Sequence, residues 1–398
     1  RNITIVRTPD EPIESALPGT KRQHEPSQPT AGEAKKKKSG DEGSVVQASI
    51  VFQPAPESTE AKAEPQLHLP PGQQEKSLAT GGQGNAVLGL RHPFEDLRPG
   101  DRAKIIGPDG EDYTLSYDKM ISLRSNSHVF TAQHSGHPEK LKVVKVIRSP
   151  SGPIAPGESR DVAERVQRMG ELWLKEVKIH SQLSQHPSVV RLDGHDSRFL
   201  ALYMENIDAP SLDQYPCHTM TTADQTRVLH DMSTALYYIQ NQGFVHHDIK
   251  PANILFSPAR GAVLIDFGLS AALTDRTVHD GGTPWYLPPE FLGRGTRGTP
   301  GDIYALGVVM LYVIGRLPLP ERHHGNLWWR IRDALIPDSD AARMMASWRE
   351  VVEQASRGLE TSASKLEDLV GRMLVRERSH RVALDRLVEE SSALSRNG

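Results

Sequence analysis

The sequence predicts an α+β protein, and three observations predict it. Strand-forming runs crowd residues 94–205 around a single long helical pattern, helical periodicity dominates from Thr221 to about Ser392, and the first 93 residues lack the composition for a core. At 398 residues the chain can form one large or two medium domains. Its formal net charge of −3 suits neither a nucleic-acid coat nor a membrane-surface binder, so neither partner is expected. The single cysteine, Cys217, excludes an internal disulfide framework and fits a reducing compartment, which predicts an intracellular setting, cytoplasmic or nuclear. The longest apolar run, Val308–Ile314, is too short to span a bilayer. The first residue is Arg1 rather than Met, as expected of a fragment.

Residues 1–93 are rich in Pro, Ser, Glu, Gln and Lys, and Phe52 is their only aromatic residue. Such a segment buries too little apolar surface to offset about 1–2 kcal/mol per residue of backbone ordering entropy. A disordered N-terminal region is therefore expected over 1–93. Within it, Lys35–Lys38 reads as a solvated charge run or as a nuclear-localisation or acidic-partner patch. Ala103–Ile106 and Tyr113–Ser116 flank GPDGED and predict a β-hairpin extension over 94–115. Strands follow at Val129–Gln133 and Leu141–Ile147. The loop SPSGPIAPGES then leads into a helix over about Asp161–Leu183.

On that helix Val162, Val166, Met169, Trp173, Glu176, His180 and Leu183 recur at spacings of three and four and share one inward face. A buried carboxylate without a partner is costly, so Glu176 should meet a cation. Lys145, in the middle of the apolar strand VVKVI, is equally anomalous. The two anomalies explain each other as an ion pair. Further strands are expected at Val189–Leu192 and Phe199–Met204. A helix with the stripe Val228, Met232, Ala235, Leu236 and Ile239 should stop at Gln242-Gly243. Ala262–Ile265 reads as a short buried strand, and Asp302–Ile314 as a helix apolar on nearly all sides, hence buried in a helical domain.

The chemistry concentrates in FVHHDIKPANIL at 244–255, which sets Asp248, Lys250 and Asn253 at fixed offsets before a probable strand. Eighteen positions after Asp248, Asp266 ends the strand LID and precedes Phe267-Gly268. Two carboxylates and an amide converging from loop ends suit Mg²⁺, a hard cation that takes oxygen ligands and substrate phosphates. Lys250 beside the acid could neutralise a transferring phosphoryl group.

H-x-D-x-K-x-x-N, then D-F-G, with V-x-K upstream, resembles the eukaryotic-type protein kinase family over about residues 116–390. GTPWYLPPE at 282–290 is similar to the family's G-T-P-x-Y-x-A-P-E, and DIYALG at 302–307 to D-x-W-S-x-G. Arg381 occupies the late arginine position that pairs with the Glu of the A-P-E segment, here Glu290. The resemblance implies a two-lobed fold: a small antiparallel sheet lobe with one key helix over 116–205 and a larger, mainly helical lobe over 206–392. It implies ATP and Mg²⁺ as cofactors and a protein with serine or threonine acceptors as substrate. Lys145 would hold the α- and β-phosphates and pair with Glu176. Asp248 would orient the acceptor hydroxyl, Lys250 would steady the γ-phosphate, Asn253 and Asp266 would bind Mg²⁺, and Thr283 would brace the catalytic loop. Met204 would line the back of the adenine pocket and Glu205–Ile207 would form the hinge. Val129, Val144 and Leu255 would lie against the nucleotide.

Three departures accompany the resemblance. Where the family's glycine-rich loop precedes Val129, this chain carries Ser122, Arg124 and Ser127, which should stiffen the lid over the phosphates and weaken its grip. His180 stands where an apolar residue would stack towards Phe267 and His246; it reads as a satisfied core histidine or as a residue that makes the helix's active position less stable. His247 replaces an arginine that clamps an activation-segment phosphate, so activity without such phosphorylation is expected, with Asp275 and Asp280 serving in place of modified Thr274 or Thr277. The alternative to an active kinase is a silent scaffold of the same fold. Small-molecule phosphotransferases lack the Lys250 and GTPWYLPPE equivalents. Ala252 and Ser211 disfavour an arginine-directed acceptor preference. Trp328 and Trp329 read as core packing or a docking surface. The pairs His246-His247 and His323-His324 match no metal-ligand set.

Overall fold

The computed structural model describes residues 2–6, 45–49, 92–95, 97–106, 112–124, 126–148, 161–275, 281–294, 297–324, 329–359 and 362–397. The chain divides into two compact units, Arg1–Ser122 with Phe130–Leu141, and Leu123–Val129 with Lys142–Gly398. This division departs from the boundaries expected after 115 and 205. A strand runs unbroken through 116, and residues 142–205 sort with the helical remainder.

In the first unit, β1 (Asn2–Val6) pairs antiparallel with both β2 (Val45–Ser49) and β3 (Arg102–Ile105). β3 in turn pairs antiparallel with β4 (Tyr113–Leu123). The expected hairpin strands are present, while most of the GPDGED turn lies outside the described residues. β1 and β2 fall inside the segment expected to be disordered. NITIV and VVQAS are short β-branched runs whose strand preference is diluted in a ninety-residue average. Further along, Phe94, Tyr117 and Phe130 form an aromatic cluster, with Tyr117 stacked on Phe130 at 4.8 Å and Phe94 edge-on at 6.2 Å.

The chain passes between the units along β5 (Ser127–His134) and β6 (His137–Ile147). In the second unit, α1 (Val162–Leu183) starts where Asp161 accepts the Ala163 N–H at 2.7 Å. Only its C-terminal half is inward. Trp173, Glu176, His180 and Leu183 are buried, whereas Val162 and Val166 of the expected stripe are exposed. The next strands are β7 (Leu192–Asp196) and β8 (Ala201–Glu205), antiparallel to each other, with β8 also pairing β6. The stretch Val189–Leu192 is therefore not a strand but its approach: Val189 makes an isolated parallel bridge to Leu264.

α2 (Thr222–Asn241) opens with a Thr221–Asp224 capping box and buries all five residues of its predicted stripe. The short β9 (Phe244–Val245) pairs with β12 (Ala271–Ala272), and β10 (Ile254–Ser257) with β11 (Gly261–Leu264). These two hairpin-like pairs present the loops that hold Asp248 and Asp266. α3 (Pro289–Arg294) leads to α4 (Thr299–Val313), buried on nearly every side as its composition predicts. After α5 (Pro320–His324), the helices α6 (Asp340–Arg357), α7 (Lys365–Met373) and α8 (Leu384–Asn397) pack against α4. Trp329 is buried, edge-on to Trp285 at 6.4 Å, so it belongs to the core; Trp328 lies outside the described residues. Arg381 grips Glu290 bidentately at 2.9 and 3.0 Å. Among the described residues no helix is long and apolar enough to cross a membrane.

Candidate active site

Alternation along β6 puts Lys145 and Val143 on one face and Val144 and Val146 on the other. Lys145 thereby reaches the ion pair expected from α1. Its Nζ donates to Glu176 Oε1 and to Asp266 Oδ1, each at 2.7 Å. Burial alone would lower the Lys145 ammonium, but the two carboxylates outweigh it and hold it above its ordinary value. The Asp266 carboxyl feels burial in the opposite sense, yet Lys145 and the Gly268 N–H hold it well below the usual carboxylate range. Burial raises Glu176, with Lys145 opposing. Gly268 packs closely against the ion-pair cluster: a Cβ would stand 3.3 Å from Asp266 Oδ1 and 3.4 Å from both Glu176 Oε2 and Lys145 Nζ.

The loop after β9 is fixed from below by Asp302, on α4. Its carboxylate accepts the N–H groups of His246 at 2.7 Å and His247 at 3.0 Å. Burial raises the Asp302 carboxyl despite these donors. Asp248, buried, then gathers the expected partners. It accepts from Lys250 Nζ at 2.6 Å, Thr283 Oγ1 at 3.1 Å and Asn253 Nδ2 at 3.0 Å. Thr283 also accepts from Lys250 at 3.0 Å, and Asn253 donates to the Asp248 carbonyl at 2.9 Å. The activation-segment threonine, the lysine and the asparagine therefore brace one carboxylate from three directions.

His180 is a core histidine. It is fully buried, hydrogen-bonds Val190 O through Nε2 at 2.7 Å, and lies 4.7 Å from the Phe267 ring. His246 meets the same phenylalanine edge-on at 5.2 Å. Burial lowers the His180 imidazole to about 4, so the neutral ring carries its proton on Nε2 and donates to the carbonyl. A continuous column thus runs from α1 through Phe267 and His246 to Asp302.

The residues expected to lie against a nucleotide are less uniform in their settings. Met204 is buried, Val129 and Leu255 are half-buried, and Glu205 and Ile207 follow at the end of β8, where Ile207 O accepts the Ala209 N–H at 2.9 Å. Val144 needs correction. It is fully buried on the face of β6 opposite Lys145, and the residue sharing the lysine's face is Val143. Counting two positions back from Lys145 would have found it. Ser122 belongs to the first unit. Arg124 and Ser127 close a tight turn in which the Arg124 N–H donates to Ser127 O at 2.8 Å. Arg148 fastens that turn, donating to Asn126 O at 3.0 Å through its backbone and to Arg124 O at 3.3 Å through its side chain. Asp302, given no role from the sequence, carries the catalytic loop. An acid at the start of an all-apolar helix was the available signal.

No cluster of three or more His, Cys, Asp or Glu side chains suited to a metal occurs among the described residues. The chemistry of the two expected ligands is compatible with Mg²⁺. Asn253 commits its amide nitrogen to Asp248, leaving its oxygen as the ligand atom, and Asp266 stays ionised beside Lys145.

A strand lysine paired with a helix glutamate and a loop aspartate, beside a second aspartate braced by lysine, threonine and asparagine, is the side-chain pattern of a protein kinase fold. The family described as protein kinase domain matches residues 142–391, and the chain belongs to it. Among curated proteins, the L-type lectin-domain containing receptor kinase V.5 of Arabidopsis thaliana is 36% identical over 193 residues, covering 43% of this chain and 29% of the relative. The serine/threonine-protein kinase PLK4 of Drosophila ananassae is 34% identical over 154 residues, 36% of this chain and 20% of the relative. The chain therefore spans less than a third of the length of these relatives.

Proposed function

We propose that the chain transfers the γ-phosphate of ATP, with Mg²⁺, to serine or threonine hydroxyls of protein substrates inside the cell. One observation carries the reading: Lys145 bonds Glu176 and Asp266 at once, at 2.7 Å each, while Asp248 gathers Lys250, Asn253 and Thr283 in a second cluster, so the charged groups the reaction would use are held by partners within two clusters. Asp248 would accept the acceptor hydroxyl's proton, held in aim by Asn253 and Thr283. Lys250, bonded to Asp248 and Thr283, would place its ammonium beside the migrating phosphoryl charge. Lys145 would orient the nucleotide's phosphates, while Asn253 and Asp266 would hold the metal. When bound, Mg²⁺ supplies charge neutralisation across the phosphates. The chain's own contribution is positioning and preset electrostatics, which suits turnover of roughly 1–100 per second. The Lys250–Thr283 contact and the similarity to a serine/threonine kinase support hydroxyl acceptors on serine or threonine rather than tyrosine.

A silent scaffold is the second reading, favoured by the closed turn at Arg124–Ser127, whose backbone donor is already occupied. Radiolabelled ATP with Mg²⁺ and a generic protein substrate separates the two. Transfer by the wild type that disappears in Asp248→Asn and Asp266→Asn supports the enzyme. Absence of transfer, with or without nucleotide-dependent thermal stabilisation, supports the scaffold.

A further inference from the structure

The side chain of Arg297, in the loop between α3 and α4, ties together two segments that are far apart in sequence. Its Nη1 donates to His247 O at 3.1 Å and its Nη2 to Gly281 O at 2.6 Å. Its guanidinium lies over the Phe291 ring at 4.6 Å, which fixes the plane of the fork. His247 immediately precedes Asp248, and Gly281 lies two residues before Thr283. The arginine thus joins the two strands of chain that meet on the Asp248 carboxylate.

The backbone around this contact is shaped for it. His247 is a non-glycine residue at φ +69°, a left-handed conformation that persists only when its surroundings over-determine it. Its N–H is taken by Asp302 and its C=O by Arg297, so the strained peptide is gripped at both ends. Gly282 has φ +119°, and a Cβ there would stand 3.0 Å from Arg297 Nη1 and 3.4 Å from His247 O. Glycine at 282 both adopts that turn and leaves room for the guanidinium. The charges facing Arg297 include Asp302, whose carboxyl it acts on.

The geometry points to Arg297 as a positioning residue: a built-in cationic clamp that holds the end of the activation segment against the catalytic loop and sets the aim of Asp248 without a phosphate. This deepens the kinase reading and rests on it for its kinetic consequences. Only a forked donor reaches both carbonyls, so Lys, a single point donor, should replace it incompletely.

The test compares phosphatase-treated wild type, Arg297→Ala and Arg297→Lys by kinetics and by hydrogen exchange over 244–256 and 281–290. The expected result is a fall in kcat of about 100-fold for Arg297→Ala, since misaiming a reactive group costs about that much. The KM for ATP should stay within about threefold, because the bonds that hold Lys145 and Asp266 are made to each other and to Glu176. Arg297→Lys should recover part of the loss, and millimolar guanidinium should restore Arg297→Ala. Exchange in both segments should quicken about tenfold in Arg297→Ala while α2 and α4 stay protected. Unchanged exchange in the two segments overturns the clamp, as does a general loss of protection that guanidinium does not reverse. If the wild type transfers no phosphate, the enzymatic reading fails, and the exchange comparison still decides the clamp.

Discussion

The loop that carries Asp248 and the turn before Val129 are both tied down by hydrogen bonds, and they are built in opposite ways. Asp248 receives three side-chain donors and sits on a loop whose backbone is fastened by Asp302 and Arg297. The Arg124–Ser127 turn is also ordered by hydrogen bonds, but they run inward, to its own carbonyl and to Arg148. In the first region the side-chain bonds converge on one buried carboxylate. In the second they engage one backbone donor, the Arg124 N–H, and the carbonyls of Arg124, Asn126 and Ser127. Hydrogen bonding orders both, gathering on a side-chain carboxylate in one and on backbone groups in the other.

The largest effect should come from breaking the Asp248 side. Asp248→Asn keeps the shape but removes the proton acceptor, and should lower phosphoryl transfer about 10²–10⁴-fold. Nucleotide affinity, measured by thermal shift, should change little, because Lys145 and Asp266 remain. Retained activity in this variant would refute the role of Asp248. Next in size is Lys145→Met. It leaves Glu176 buried and Asp266 without its cation, so denaturant unfolding should show a loss of about 3–5 kcal/mol together with loss of transfer. The double variant Lys145→Met with Glu176→Leu should recover part of that stability but none of the activity.

Much of this site was legible in the sequence because its residues violate local rules. A lysine in an apolar strand and a glutamate on an apolar helix face each demand a partner, and pairing them needed no structure. Asp248, Lys250, Asn253 and Asp266 were legible through motif spacing, and the α2 and α4 stripes through periodicity. Orientation and long-range anchoring were not. Val144 adjoins Lys145 in sequence but lies on the opposite face of β6, because side chains alternate along a strand. Val162 and Val166 shared the helix face of Trp173, but they lie before the point where α1 meets the sheet and so stay exposed. Arg297 carried no local anomaly, since an arginine in a glycine-rich loop breaks no rule. Its importance lies in two carbonyls that are 34 positions apart in the sequence (281 − 247).

A smaller effect tests the column that links the two lobes of the site. His180 is lowered to about 4 from an ordinary 6.5, so the unfolded chain binds a proton there that the folded chain refuses. Its contribution to stability is therefore fully present above about pH 6.5 and is lost as pH falls towards 4. At pH 5 the loss should be about 2 kcal/mol. His180→Leu should flatten the dependence of urea-unfolding stability on pH between 7.5 and 5, while losing about 1–3 kcal/mol at pH 7.5 from the unpaired Val190 carbonyl. An unchanged pH slope would show that the ring is protonated in the folded protein.

The smallest expected change sharpens the comparison from its closed side. Replacing Arg124 and Ser127 by glycine should cost about 0.5–1 kcal/mol of stability per site through added backbone freedom. The same freedom would let the turn break its Arg124 N–H to Ser127 O bond and offer that donor to a phosphate. ATP affinity should then rise by about one hydrogen bond's net worth, roughly 0.5–1.5 kcal/mol or two- to tenfold. Isothermal titration of the double variant with ATP and Mg²⁺ reads this directly. A tighter nucleotide with unchanged kcat would mean that the inward bonds of the turn limit binding alone. Weaker binding would mean that the Arg124 side chain, rather than the missing glycines, is what the turn contributes to the phosphates.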